Sequence, residues 1–118
     1  MSPRELELPD DAAAALDVLR EASRTAPALV FKKSPICPVS FAAESEYDGF
    51  LDDLAPDVDL HHVKVDVLAR KPLARGLTRE LGIDHQSPQA LLFRDGELAW
   101  HASHHDLTEA RFNSLIAS

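Results

Sequence analysis

Between Ala28 and Asp66 the chain passes from a short apolar run into a helical pattern and out into an alternating run, and that order limits the possible folds sharply. Ala28-Leu-Val-Phe31 is continuous rather than alternating, as a strand buried on both faces is. From Pro38 to about Leu54, the residues Ala43, Tyr47, Phe50, Leu51 and Leu54 fall on one helical stripe. Leu60-His-His-Val-Lys-Val-Asp66 then alternates as a strand does. Two strands joined through a helix run parallel, because the crossover returns the chain to the same end of the sheet. A parallel pair at the centre of an α/β fold is the result.

The flanks complete the order. A helix is expected from about Asp10 to Arg24, with Ala12, Ala15, Leu16, Leu19 and Ala22 at spacings of three and four. Pro72 to Leu81 is helical by the same test, and Gly82 stops it. Gln89–Arg94 and Glu97–His101 form a hairpin about Asp95-Gly96, since that pair supplies the positive φ angles of a tight turn. Asp106-Leu-Thr-Glu109 reads as a capping box for a last helix with Phe112, Leu115 and Ile116 inward. These elements give an α/β sandwich: a mixed central sheet of about four strands with helices on both faces. This element order resembles the thioredoxin fold, with that fold's usual first strand absent or reduced to the Glu5-Leu-Glu-Leu8 region. At 118 residues the chain is expected to form one domain over 1–118.

Charge and composition narrow the function. The net charge of −8 argues against nucleic acid, whose phosphates are bound through lysine and arginine. Residues 1–60 carry 5 basic and 13 acidic side chains, whereas 61–118 carry 7 of each. Glu44 to Asp59 holds seven acids and no base, most simply a solvated helix face and loop. No run of about 18 apolar residues offers a membrane span. The first residues have neither the basic start nor the apolar core of a signal peptide. With one unpaired cysteine, a reducing cytoplasm is the expected compartment.

That cysteine, Cys37, stands where the first strand hands over to the helix, with Pro38 at the favoured first helical position. Backbone N–H groups at a helix start favour the thiolate of a thiol placed there. Ser40 occupies the place of the second cysteine in a dithiol active site, so the chain reads Cys-X-X-Ser. Such a site attacks a disulfide but closes none internally. Lys32 and Lys33 precede it; they most simply mark a strand end meeting solvent, and at most one of them faces the site because strand neighbours alternate. Lys33 is the one favoured. His101, His104 and His105 do not make a metal site: zinc wants four converging ligands, and a continued strand sends His101 and His104 to opposite faces. Trp100 reads as packing rather than a binding platform.

With Cys37 at a strand-to-helix turn and Ser87-Pro88 opening the hairpin, the chain resembles the thioredoxin-fold oxidoreductases. Ile36-Cys-Pro-Val-Ser40 is similar to the Thr-Cys-Pro-Ile-Ser signature of the monothiol bacilliredoxin family, and Gln86 to His104 resembles that family's C-terminal half. Ile36 and Val39 depart from the signature; Cys37, Pro38 and Ser40 match it. The resemblance implies a cis Ser87–Pro88 bond, with Pro88 against Cys37 and shaping a substrate groove with Ser87; Lys33, by strand alternation, is expected to face that groove. It also implies removal of bacillithiol from capped client proteins, with bacillithiol as low-molecular-weight thiol co-substrate and no bound cofactor or metal. Two other functions remain open on the residues: a non-catalytic thioredoxin-fold binding module, and an iron–sulfur-binding monothiol glutaredoxin-like protein.

Overall fold

In the computed structural model, which describes residues 2–117, five strands form one mixed sheet in the order β1-β3-β2-β4-β5. The elements are β1 (Pro3–Glu5), α1 (Ala12–Ala22), β2 (Ala28–Lys33), α2 (Pro38–Asp53), β3 (Leu60–Asp66), α3 (Lys71–Leu81), β4 (Gln89–Arg94), β5 (Glu97–Ser103) and α4 (Glu109–Ala117). β2 and β3 are parallel in the register Val30↔Val63, as the crossover requires. β4 lies antiparallel to β2, and β5 antiparallel to β4. The fifth strand is β1, parallel to β3 through Pro3↔Leu60 and earlier in the chain than the expected Glu5–Leu8. Its proline sits where a strand lacking one donor is tolerated, on the sheet edge.

Local chemistry sets the ends of the elements. The Asp11 carboxylate accepts the Ala14 N–H at 2.9 Å and so caps α1. α3 stops at Gly82, whose φ of 71° is left-handed. Asp95 and Gly96 both have positive φ, 53° and 85°, and turn β4 into β5. The last helix corrects the expected capping box. His104–Asp106 form a 3₁₀ turn, and the Thr108 hydroxyl accepts the Arg111 N–H at 3.2 Å, so Thr108 rather than Asp106 caps α4. The cause is tertiary, because the chain first buries Leu107 in the core and only then turns into a helix.

Each face of the sheet carries two helices and its own core. Val30, Val63, Val65, Leu91 and Phe93 meet Leu16 and Leu19 of α1 and Leu73 and Leu77 of α3. α1 and α3 pack closely at Gly76, where an added Cβ would stand 2.5 Å from the Ala12 methyl. On the other face Leu29, Phe31 and Leu92 meet Ala43, Tyr47 and Phe50 of α2 and Phe112 of α4. Alternation along β2 therefore sends odd positions to α2 and α4, and even positions to α1 and α3.

Candidate active site

β2 runs two residues beyond the expected Phe31, to Lys33, and Ser34, Pro35 and Ile36 then make the turn to Cys37. Cys37 is the N-cap of α2, with extended backbone angles (φ −106°, ψ 119°), and Pro38 occupies the first turn. Its carbonyl accepts the Phe41 N–H at 3.1 Å and so closes that turn. Cys37 is half-buried, while Ile36 before it is 75% exposed. The thiol is thus carried at the start of a helix, on a turn open to solvent.

Ser40 is completely buried, and its hydroxyl accepts the Ser34 N–H at 2.8 Å. The hydroxyl at the second position of the motif therefore ties α2 back to the turn that carries Cys37. Ser40→Ala leaves a buried N–H without its acceptor. The expected result is a loss of about 1–3 kcal/mol in denaturant unfolding, with thiol chemistry at Cys37 slowed by about tenfold or less.

The two lysines diverge, as alternation requires. Lys33 lies on the α2 side and pairs with Glu44 at 3.1 Å. Glu44 also takes Lys64 of β3 at 2.8 Å, and Lys64 reaches Asp48 at 2.6 Å. Part of the acidic run is therefore a fixed network spanning α2, β2 and β3, not a freely solvated face. Burial pushes the Glu44 carboxyl up, but the hydrogen bonds and charges of Lys64 and Lys33 outweigh it and hold it below the usual 4.5. A depressed carboxylate contributes its stabilisation above its unfolded value and loses it as pH falls through the folded value. Glu44→Gln is thus expected to cost about 1 kcal/mol at pH 7, a small figure because the lysines are partly solvated. Thermal melts of the two proteins should converge as pH falls below 4.5; a gap that persists in strong acid would exclude the ion pairs as its source.

Lys32 overturns the expectation of a strand end meeting solvent. It is completely buried on the α3 side, where its ammonium donates to the Ala74 carbonyl at 3.1 Å and meets His85 Nδ1 at 2.7 Å. Burial, with the Arg75 charge, lowers its pKa from 10.5 to about 7. A lysine continuing an apolar run carries no sequence sign of this, since its partners lie 42 and 53 residues away. Glu44, Lys64 and His85 carry no local sign of their roles for the same reason. The one available signal was the spacing of Glu44 and Asp48, four apart on α2 and so able to share a cation.

The Ser87–Pro88 bond is cis, as the resemblance implied. Gln89 stands opposite Lys32 in the β2–β4 register, so Pro88 enters the sheet beside the end of β2. The Ser87 hydroxyl is buried and has no hydrogen-bond partner among the described residues. A mostly apolar groove of about 350 Å³, lined by Pro38, Val39, Ala42 and Leu107 with His104 and His105 at its edge, flanks the start of α2. A larger cavity, about 560 Å³, is lined by residues 5–8, by Asp48 and Leu51 of α2, by His62, Val63 and Lys64 of β3 and by Arg70, and includes none of the motif residues.

His104 is outside β5, in a left-handed conformation at φ 55°, so the opposite-face argument for His101 and His104 does not apply. Among the described residues no three His, Cys, Asp or Glu side chains cluster as a metal site would need. Trp100 packs edge-on to Phe112 at 6.4 Å and lies under the Arg111 guanidinium at 5.9 Å. No helix among the described residues is long and apolar enough to cross a membrane.

Residues 10–112 match the family model described as monothiol bacilliredoxin BrxC. Solved structures share the fold at low identity. A protein provisionally described as an oxidoreductase with a thioredoxin fold is 22% identical, with a TM-score of 0.69 over 99% of this chain and 95% of its own. Trxlp from Edwardsiella tarda is 23% identical, with a TM-score of 0.65 over 98% of each chain. Thioredoxin f from spinach chloroplast is 14% identical, with a TM-score of 0.66 over 98% of this chain and 91% of its own.

Proposed function

Because the chain belongs to the monothiol bacilliredoxin family, we propose that it removes bacillithiol from protein mixed disulfides through Cys37. The observation that carries this reading is the position of the chain's one thiol: the half-buried N-cap of α2, with serine where a second cysteine would stand.

The chemistry is two thiol–disulfide exchanges. Cys37 thiolate attacks the bacillithiol sulfur of a capped client; the Cys37–bacillithiol bond forms, the client's S–S bond breaks, and the client thiolate leaves and takes a proton from water. A second bacillithiol thiolate then attacks the bacillithiol sulfur of the adduct. This releases bacillithiol disulfide and returns Cys37 as thiolate. The client's mixed disulfide is exchanged for bacillithiol disulfide at the expense of one free bacillithiol, so electrons balance with no bound cofactor or metal. Pro38 presets the helix start without adding a donor of its own. Ser40 holds the turn in place, and Lys33, Ser87 and Pro88 border the client groove. The partners are capped clients and the small thiol, in a reducing cytoplasm and away from nucleic acid and membrane.

Intact mass after exposure to bacillithiol disulfide, with glutathione disulfide in parallel, tests the reading. A single bacillithiol adduct, formed faster than the glutathione one and resolved by added bacillithiol, is the expected result. Equal rates for the two thiols would remove the bacillithiol assignment; failure to form any adduct would remove the exchange chemistry itself.

A further inference from the structure

We propose that Lys32 is a positioning residue whose buried amine, shared between the Ala74 carbonyl and His85 Nδ1, latches the 82–88 loop and opens when His85 is protonated. The proposal rests on the reading that Ser87 and Pro88 border the client groove.

The geometry connects three elements. Lys32 is fixed in β2, Ala74 in α3, and His85 in the loop that joins α3 to β4. The same loop is stapled from the β4 side, where Gln89 accepts the Gln86 N–H at 3.2 Å and donates to the Asp84 carbonyl at 3.0 Å. Because Gln89 pairs with Lys32 across the sheet, both fastenings act at one register position, immediately after Pro88, where β4 begins. A buried amine that only filled space would be better replaced by a hydrocarbon, since desolvating it costs free energy that no carboxylate here returns.

The groups around the pair decide its protonation. α3 contributes the Arg75 guanidinium, whose charge bears on both Lys32 and His85. The loop contributes His85. α1 brings Ala15, Leu16 and Leu19 to this core, β3 brings Val63 and Val65, and β4 brings Leu91 and the neutral Gln89. No carboxylate among the described residues forms an ion pair with Lys32, and below its folded value near 7 the couple holds one proton, on the lysine. Burial and the neighbouring Lys32 and Arg75 charges lower the His85 pKa from 6.5, outweighing the Ala74 carbonyl, which favours the protonated ring. Below that lowered value a second proton sets three cations together, and the loop is released. For Lys32 the linkage runs the other way along the scale. The burial cost is full below its folded value near 7 and fades as pH rises toward the unfolded 10.5, where neither state carries the proton.

Hydrogen exchange of the loop amides across pH 5 to 8 tests this in wild type, Lys32→Met and His85→Asn, the last keeping an acceptor near Nδ1 that does not titrate. In wild type the protection factor of Gln86 should fall on the acid side. In Lys32→Met it should be about tenfold to a hundredfold lower throughout. In His85→Asn it should stay at the wild-type neutral value with no acid limb. Lys32→Met should melt above wild type at pH 7 by a margin that shrinks toward pH 10.5, which shows that it folds and that the buried charge has been removed. Its kcat/KM on a capped peptide should fall about tenfold through a displaced groove, while alkylation of Cys37 keeps its wild-type rate. Equal loop protection in wild type and Lys32→Met, or an acid limb retained in His85→Asn, would overturn the latch. A wild-type protein that shows the latch yet transfers no thiol would instead overturn the functional reading.

Discussion

Cys37→Ser is expected to bring small-thiol transfer down to the uncatalysed background, a loss of roughly a thousandfold or more. The chain has one cysteine, so every covalent step passes through that sulfur. A serine hydroxyl is not ionised at neutral pH and does not attack a disulfide. The turn should survive the change: Cys37 makes no side-chain capping bond, and serine is a favoured N-cap. The variant should therefore melt at or above the wild-type temperature while forming no adduct by intact mass. Residual release of bacillithiol from a capped client by folded Cys37→Ser would falsify the proposed chemistry. Ser40→Ala differs in kind, because Ser40 acts on the turn through the Ser34 N–H, and its cost appears in stability.

Phe112→Ala is expected to destabilise the fold by about 3–5 kcal/mol. Phe112 is completely buried and stands among Tyr47 at 5.5 Å, Phe50 at 5.4 Å and Trp100 at 6.4 Å. It is the one buried residue of α4, so truncation removes the main attachment of that helix as well as opening a cavity. Small domains have about 5–15 kcal/mol in total, which makes the loss a large fraction of the whole. Urea unfolding gives the answer. A midpoint close to wild type would mean that α4 is held by something other than this cluster. The same measurement on Trp100→Ala should show a smaller cost, since Trp100 is only partly buried and packs on Phe112 from the sheet surface.

The elements were legible in the residues where local chemistry alone fixes them. β3, the Asp95-Gly96 turn and the body of α2 follow from alternation, positive φ and helical spacing, and the structure has them at those positions. The Cys-Pro-X-Ser run was equally legible, because a strand, a proline and a helical stripe put Cys37 at an N-cap without help from distant residues. Local rules fail where a distant partner decides. The capping box at Asp106 satisfied every local rule and lost to the burial of Leu107. β1 is too short to announce itself and exists because β3 offers it an edge.

From the sequence came the parallel crossover, the helix start that carries the thiol, and the absence of any second thiol to trap it. Those features depend on backbone preferences and side-chain periodicity, which act over a few residues. Only the tertiary structure decided the fate of the charges. Lys32 and Lys33 are adjacent and identical in the chain, yet one is sealed against α3 with His85 and the other is held at Glu44 on the opposite face. A charge takes its meaning from what surrounds it in space, through desolvation and through partners 11 to 53 residues away.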